Sequence, residues 1–387
     1  MIERYRRGLH LESLLPMTDK NRTVTRRDWL KVPGITLGGI ALPAALSGAE
    51  PSMISRRARL SLNENPFGPS TLAIEAVRNE LGEICRYAER GVDALTEAIV
   101  AREAVAPDQI VLGEILEALG LHLAMNGPSG GEFIYSEPGY TVLVDAVAPG
   151  GGVVISVPLN QELQNDLPAI AAKVNARTRG IYLVNPHNPS GTVSDTETFL
   201  RFVREMSRRT TVIVDEAYLE FEPDFDRRTA VDLIRTGENV IVFRTFSKIY
   251  ALAGLSMGYA IAPQTHAASL KRAGIGAAET LDRLAIAASI GSLRDPGYVA
   301  ATRAKVVAER EKWNQLFYAL KLRHSDARGN FVFFATGRRH DEFAAALGAR
   351  GIDIGRPFPP LEGWARISMG LPRENEMARQ AVVELLR

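Results

Sequence analysis

Four side chains that could do chemistry together follow three strand-like runs of this sequence. Asn188 comes after the apolar run GIYLV. Asp215 and Tyr218 come after TTVIV, and Lys248 comes after NVIVF. Ligands of an open α/β sheet bind at the carboxyl ends of its strands, so these side chains are expected to meet at one sheet edge. Each residue type is common at a strand end by itself, but the conjunction in this order indicates a site.

An amide, a carboxylate, a phenol and an amine are the groups that a pyridoxal 5'-phosphate (PLP) site needs. The amine of Lys248 would form a Schiff base with the aldehyde of the cofactor. The carboxylate of Asp215 would keep the pyridine nitrogen protonated, so that the ring acts as an electron sink. Asn188 and Tyr218 would hydrogen-bond the ring oxygen O3'. The sequence therefore predicts a PLP site in which Lys248 is the catalytic residue.

The elements around these residues alternate between buried strands and amphipathic helices. Several strand-like runs are continuously apolar and rich in β-branched residues, as in parallel strands that are buried on both faces. Helix-length stretches such as TETFLRFVREMSRR lie between them, which predicts an α/β sandwich. After about residue 265, long helical stretches and shorter strands predict a smaller α+β domain.

The chain resembles the fold-type I PLP-dependent aminotransferases of class I/II, and among them the histidinol-phosphate aminotransferase-like branch. The resemblance covers nearly all of residues 58–387 and rests on the motifs LNENPFGPS, SEPGY, NPHNPSGT, VDEAYLEF, TFSKIYALAGL, GNFVFF, GRPF and WARISMG. It implies a large domain with a mostly parallel central sheet flanked by helices, plus a smaller α+β domain. We expect an N-terminal arm over 50–80 that joins the small domain, a large PLP-binding domain over 81–270, and a C-terminal small domain over 271–387.

The resemblance also implies further ligands for the cofactor. Tyr140 of SEPGY would stack on the ring face, and Ser247 would bind the phosphate. Tyr87 of CRYAE would reach the cofactor phosphate of a neighbouring subunit, which implies a homodimer with shared active sites.

For the substrate, the resemblance implies that Arg366 of WARIS grips an α-carboxylate with its bidentate fork, with Asn330 and Asn65 as further substrate-binding residues. The expected function is an aminotransferase that moves an amino group between an amino acid, or an amino-phosphate, and a 2-oxo acid by a ping-pong mechanism. Two alternatives stay open: a PLP-dependent lyase or decarboxylase of the same fold, and a degenerate, non-catalytic binding protein. The sequence does not predict the substrate.

Two departures from the family pattern affect the cofactor phosphate. Where the family has a Gly-Ser-Gly-Ser-like loop at a helix N-terminus, this chain runs from QIVL into GEILEALG. Either the loop has lost about four residues after Gly113, or Glu114 and Ile115 replace its small residues. Both alignments remove the hydroxyl and place Glu114 near the helix start, where a carboxylate satisfies the helix dipole and repels a phosphate. Ser256 replaces the family's arginine after LAGL. A lost charge-assisted hydrogen bond is worth roughly 1.5–3 kcal/mol, so weaker retention of PLP is expected.

The first 49 residues differ in kind from the rest. The twin arginine Arg26-Arg27 precedes a weakly apolar stretch and the small residues Ser47-Gly48-Ala49, which is the order of an export signal. The segment resembles a twin-arginine (Tat) signal and predicts a periplasmic or exported protein; a disordered basic tail on a cytoplasmic protein is the alternative. The net charge of +1 over 387 residues suggests no nucleic-acid or membrane-surface partner.

Overall fold

The computed structural model describes residues 57–387, so the predicted signal over 1–49 and the first part of the predicted arm lie outside the described residues. The strands are β1 Ala58–Leu60, β2 Ile110–Leu112, β3 Glu132–Glu137, β4 Val153–Pro158, β5 Thr178–Val184, β6 Thr211–Asp215, β7 Val240–Thr245, β8 Gly258–Ile261, β9 Phe331–Ala335, β10 Ile352–Ile354 and β11 Trp364–Ser368. The α-helices are α1 Thr71–Glu80, α2 Glu89–Glu103, α3 Leu116–Met125, α4 Val142–Asp145, α5 Leu167–Lys173, α6 Thr196–Ser207, α7 Phe225–Arg228, α8 Val231–Arg235, α9 Gln264–Arg272, α10 Arg283–Leu293, α11 Pro296–Ala319, α12 His340–Gly348 and α13 Pro372–Leu386.

The central sheet has seven strands in the order β2-β8-β7-β6-β5-β3-β4. Strands β4, β3, β5, β6 and β7 run parallel to one another, whereas β8 is antiparallel to both β7 and β2. Because β8 is reversed between them, β2 runs in the same direction as β7. The carboxyl ends of β2, β7, β6, β5 and β3 therefore share one edge, and the prediction of a mostly parallel central sheet is confirmed.

Burial explains the composition of the central strands. All residues of β6 and β7 are buried, as expected for parallel strands that are covered on both faces. Helix α6 illustrates the covering layer: the Asp195 side chain caps its N-terminus by accepting a hydrogen bond from the backbone N–H of Thr198. The apolar face of α6 then buries Phe199, Val203 and Met206 in the core.

Two small sheets accompany the central one. Strand β9 pairs with β11 in antiparallel register, and β1 pairs with β10 in parallel register, so that the N-terminal arm is tied to the C-terminal part of the chain. Residues 57–387 lie within one compact unit, and the predicted boundaries at residues 80 and 270 stay predictions. Within residues 57–387, no helix is long and apolar enough to cross a membrane.

Candidate active site

A cavity of about 580 Å³ opens at the shared carboxyl edge of the central sheet. Most of the side chains predicted for the site line it: Tyr140, Asn188, Asp215, Tyr218, Ser247, Lys248 and Arg366. Glu114 and Ser256, the two departures from the family pattern, also line it. Three further lining residues, Asn63, Glu64 and Phe358, are not among the predicted site residues. The fold thus brings together residues that are separated by more than two hundred positions, such as Tyr140 and Arg366.

Asp215 is the last residue of β6 and is almost completely buried. Its carboxylate accepts hydrogen bonds from the Tyr182 hydroxyl at 2.8 Å and from the backbone N–H of Ala217 at 3.0 Å. Burial raises the pKa of Asp215 to about 6, although both hydrogen bonds and the charge of Lys248 act in the opposite direction. Within the described residues it forms no salt bridge, so a buried carboxylate faces the cavity without a cation in direct contact.

The next residue along, Glu216, fixes the segment that carries Asp215 and Tyr218. Its carboxylate forms a buried ion pair with Arg244 at 2.9 Å and accepts a hydrogen bond from the backbone N–H of Ala230 at 2.7 Å. Burial raises the pKa of Glu216, and the Arg244 guanidinium opposes that effect. A buried charge pair of this kind is costly to break, because the surviving charge would be stranded. The ion pair therefore positions the DEAY segment rigidly.

Lys248 follows β7 and reaches into the cavity. Its Nζ lies 3.5 Å from the carbonyl oxygen of Leu62 in the N-terminal arm and 5.8 Å from the ring centroid of Tyr218. The loop after the lysine is tied to the same arm, because the Asn65 amide donates a hydrogen bond to the carbonyl of Ile249 at 2.7 Å. The arm thus holds both the lysine side chain and its loop.

Arg366 of β11 meets Asn188 across the cavity. Its NH1 group donates to Asn188 Oδ1 at 2.6 Å, and its NH2 group donates to the Ser61 carbonyl at 2.7 Å. Burial lowers the pKa of Arg366 to about 10, with a further contribution from the neighbouring Arg356. The guanidinium bonds Asn188 Oδ1, and within the described residues the NH₂ group of this amide has no hydrogen-bond partner. That group is a donor, as a ring oxygen O3' requires.

Tyr218 is held by a residue that the sequence argument missed. The Asn63 side chain donates to the Tyr218 hydroxyl at 3.0 Å, and Ser368 bonds both the backbone and the side chain of Asn63. The Tyr218 ring also packs edge-on against Phe331. The LNENPFGPS motif could have indicated Asn63, but a polar residue in an arm gives no sign of a partner 155 positions away.

Asn65 and Asn330, the two further substrate residues expected from the resemblance, are not among the residues that line the cavity. Asn330 is buried and donates to the backbone carbonyls of Asn63 and Glu64 at 3.0 and 3.1 Å. Asn65 bonds Ile249, as described above, and the Tyr298 hydroxyl. Both amides hold the arm against the rest of the chain, and their contact with a substrate stays a prediction.

The two aromatic ligands expected for the cofactor lie in different surroundings. Tyr140 lines the cavity and is partly exposed to it. Burial raises the pKa of Tyr140, and the negative charge of Asp215 adds to the effect. Tyr87 lies outside the cavity of its own chain, with 68% of its surface exposed. Its contact with the cofactor of a neighbouring subunit stays a prediction.

Glu114 is presented to the cavity by a turn between β2 and α3. Gly113 makes this turn with φ of +115°, a conformation that favours glycine. The Glu114 carboxylate accepts hydrogen bonds from the Thr245 hydroxyl and, at 3.0 Å, from the Ser247 hydroxyl. Burial raises the pKa of Glu114, while these hydroxyls and the charge of Lys248 oppose the effect. Solvent still reaches the side chain through the cavity.

The donor set fits the pyridoxal ring of PLP. A primary amine, a buried carboxylate that lacks a cationic contact, and an amide whose oxygen is already occupied all face one cavity. Lys248 would hold the aldehyde carbon, Asp215 the pyridine nitrogen, and Asn188 with Tyr218 the oxygen O3'. At the other side of Lys248, the Ser247 hydroxyl is available to a phosphate only in competition with Glu114.

The comparisons with known proteins agree with this geometry. The sequence pattern of the family "Aminotransferase class I and II" matches residues 57–382. The histidinol-phosphate aminotransferase of Limosilactobacillus fermentum is 32% identical over 337 residues, which are 85% of this chain and 91% of that protein. An aromatic amino acid aminotransferase of Rhodococcus opacus is 33% identical over 322 residues, which are 82% of this chain and 87% of that protein.

A solved structure shares the fold as well as the sequence pattern. The histidinol-phosphate aminotransferase of Sinorhizobium meliloti, solved in complex with pyridoxal-5'-phosphate, has a TM-score of 0.76 and 28% identity. The match covers 86% of this chain and 91% of that one.

Proposed function

The chain belongs to the class I and II aminotransferase family, and from that membership we propose that Lys248 and Arg366 divide the work of amino transfer in its cavity. The enzyme is a PLP-dependent aminotransferase that uses amino acid and 2-oxo acid substrates. In the proposal, Lys248 is the Schiff-base lysine and Arg366 binds the anionic end of each substrate. The observation that carries it is the presence of both side chains, together with Asp215, around one cavity.

Each side chain has one task in this proposal. PLP, when bound, supplies the electron sink that makes the proton on the substrate Cα removable. The Lys248 amine is the base that takes this proton and returns it during transfer. Asp215 holds a proton on the pyridine nitrogen, because a buried carboxylate favours a cation beside it. Arg366 fixes the orientation of the substrate, because its fork matches a carboxylate or a phosphate.

The substrate end of the cavity supports an anionic donor. The guanidinium groups of Arg356 and Arg366 lie 4.5 and 5.0 Å from the ring centroid of Phe358, so that two cations flank one aromatic ring. We propose a donor that carries a carboxylate or a phosphate at this end. A panel that contains histidinol phosphate, an aromatic amino acid and an uncharged primary amine tests this, with a 2-oxo acid as acceptor. Turnover of the uncharged amine at the rate of the anionic donors would contradict the proposal.

The test of the catalytic assignment is Lys248→Ala, with Lys305→Ala as a matched control, because Lys305 lies outside the cavity lining. We expect Lys248→Ala to lose the visible absorbance of lysine-bound PLP and at least about 10³-fold in transfer rate. Circular dichroism should show an intact fold for both variants. Transfer by Lys248→Ala at the rate of the unmodified enzyme would refute the role of this residue.

Export and dimerisation are separate proposals. Export is supported by Arg26-Arg27 and Ser47-Gly48-Ala49. Replacing both arginines with lysine should leave the full-length protein in the cytoplasm, whereas uncleaved native protein found there would contradict the proposal. A homodimer is supported by exposed apolar side chains near Tyr87, among them Leu81 and Ile84. Light scattering on the PLP-loaded enzyme should give twice the mass of one chain; a single-chain mass would exclude a shared site.

A further inference from the structure

The position of the cofactor phosphate follows from the ring chemistry and the strand order. In PLP, the aldehyde at C4 lies opposite the ring nitrogen and is flanked by the hydroxyl at C3 and the phosphate arm at C5. With Lys248 at the aldehyde and Asp215 at the nitrogen, the hydroxyl and the phosphate must point to opposite sides. Asn188 follows β5, on one side of β6, and supplies the donor that the C3 oxygen needs.

The phosphate arm therefore points toward the side of β7 and β2. Ser247 follows β7 and Glu114 follows β2 there, and Ser256 lines the same cavity. Two hydroxyls of this side, those of Thr245 and Ser247, already donate to the Glu114 carboxylate. A side-chain anion thus occupies the hydrogen bonds that a phosphate would use.

We propose that Glu114 occupies the seat of the cofactor phosphate, so that the phosphorylated cofactor binds together with one proton on the Glu114 carboxyl. An ionised Glu114 repels a phosphate dianion, and Ser256 supplies no charge to offset the repulsion. A protonated Glu114 is instead a hydrogen-bond donor, and it releases the Thr245 and Ser247 hydroxyls to the phosphate. This inference rests on the proposed function, because it takes the cavity to be the PLP site.

Charged and titratable groups of several elements face Glu114 and influence whether its carboxyl is protonated. Lys248, after β7, stabilises the ionised form of Glu114. Asp215, at the end of β6, and Tyr140, after β3, both have their pKa raised by the Glu114 charge. Arg356 and Arg366 line the same cavity, where they flank Phe358. An incoming phosphate dianion carries more negative charge than the Asp215 carboxylate, and it raises the pKa of Glu114 further.

The test compares pyridoxamine 5'-phosphate with pyridoxamine, which differ only in the phosphate. Both carry an amine in place of the aldehyde, so neither forms a Schiff base with Lys248, and ring contacts to Asp215 and Tyr140 are common to both. The ratio of their dissociation constants therefore isolates the contribution of the phosphate to binding. Isothermal titration calorimetry measures both constants between about pH 6.5 and about pH 8.5, above the second ionisation of the phosphate.

We expect the advantage of the phosphorylated form to fall by about tenfold for each pH unit while one proton is taken up on binding. Glu114→Gln should make the ratio nearly independent of pH in this range and at least about tenfold more favourable to the phosphate at the upper end. Glu114→Ala, which removes the group altogether, should behave like Glu114→Gln. Glu117→Gln is the matched control, because Glu117 is an exposed carboxylate in the first turn of α3, outside the cavity.

Proton uptake is a second readout. Titrations in buffers of different ionisation enthalpy should show uptake of about one proton by the native enzyme when the phosphorylated form binds, and none by Glu114→Gln. Equal and pH-independent ratios in the native enzyme and Glu114→Gln would overturn the inference and leave the proposed function standing. Failure of both vitamers to bind the native enzyme would overturn the proposed function as well.

Discussion

The two sides of the cavity differ in whether their polar groups are free to bind a cofactor. On the β5 and β6 side, Asp215 and Asn188 are held by protein partners and still present the charge and the donor that a pyridoxal ring needs. On the β7 and β2 side, the hydroxyls of Thr245 and Ser247 are already bonded to Glu114. The chemistry of a cofactor and its anchoring are thus separable, because different strands supply them.

This separation has a kinetic consequence. Groups that touch the ring should control the rate of transfer, because they act on the charge that develops during the reaction. Groups that touch the phosphate should control how long the cofactor stays, because their contacts are the same in the ground state and the transition state. A ring-side substitution that changes only cofactor retention, or a phosphate-side substitution that changes only the rate of transfer, would therefore contradict this separation.

The largest effect is expected for Asp215→Ala on the ring side. Without the carboxylate, the pyridine nitrogen loses the proton that makes the ring an electron sink, so kcat should fall by roughly 10²–10³-fold. The cofactor content should stay near that of the native enzyme, because Lys248 still holds the aldehyde carbon. Steady-state kinetics and absorbance of the same preparation measure both quantities. A variant that loses its cofactor but keeps the rate of its loaded fraction would contradict the separation.

Sequence reasoning predicted the parts of the site that depend on local order. Asn188 and Lys248 follow strands and Asp215 ends one, and parallel strands bring their carboxyl ends to one edge. The residues that hold these side chains in place could not be predicted in this way. Tyr182 lies in the buried interior of β5, where an aromatic residue is common for packing reasons alone.

Other contacts that hold the site join residues that are far apart in the sequence. The bond from Arg366 to Asn188 spans 178 positions, and the bond from Asn63 to Ser368 spans 305. Such partners follow only from the packed structure. The departure at Glu114 was visible in the sequence, but its bonds to Thr245 and Ser247 were not, since they require β2 and β7 to run in the same direction.

A smaller effect is expected for Ser256→Arg on the phosphate side. A guanidinium would form a charge-assisted bond to the phosphate worth roughly 1.5–3 kcal/mol, so PLP should dissociate about tenfold or more slowly. Ser256 already has a left-handed φ of 46°, so replacing one side chain by another adds no new backbone strain there. Cofactor retention is measured by dialysis against an amino donor, with Ser256→Gln as an uncharged control. A changed kcat with unchanged retention would contradict the separation.

The smallest effect is expected for Tyr182→Phe, which tests how the ring side holds its carboxylate. The Tyr182 hydroxyl and the Ala217 N–H favour the ionised form of Asp215, whereas burial raises its pKa to about 6. Removing the hydroxyl should therefore raise the pKa of Asp215 further. In the PLP-loaded enzyme, a more basic Asp215 would compete with the pyridine nitrogen for its proton. The nitrogen would then be protonated less fully, and kcat should fall by about tenfold.

The same substitution has a signature in the cofactor-free protein. Because the folded pKa of Asp215 lies above its ordinary value near about 3.9, the folded state favours the protonated carboxyl, and stability falls as the pH rises through about 6. In Tyr182→Phe this fall should continue to higher pH and be larger by about 1.4 kcal/mol for each further unit of pKa. Denaturant unfolding between about pH 5 and about pH 8 measures it. Tyr135→Phe is the matched control, because Tyr135 pairs with Tyr182 across β3 and β5 but its hydroxyl bonds Glu137. If both variants lose stability with the same dependence on pH, the Tyr182 hydroxyl does not tune Asp215, and the Ala217 N–H and the charge of Lys248 are what favour its ionised form against burial.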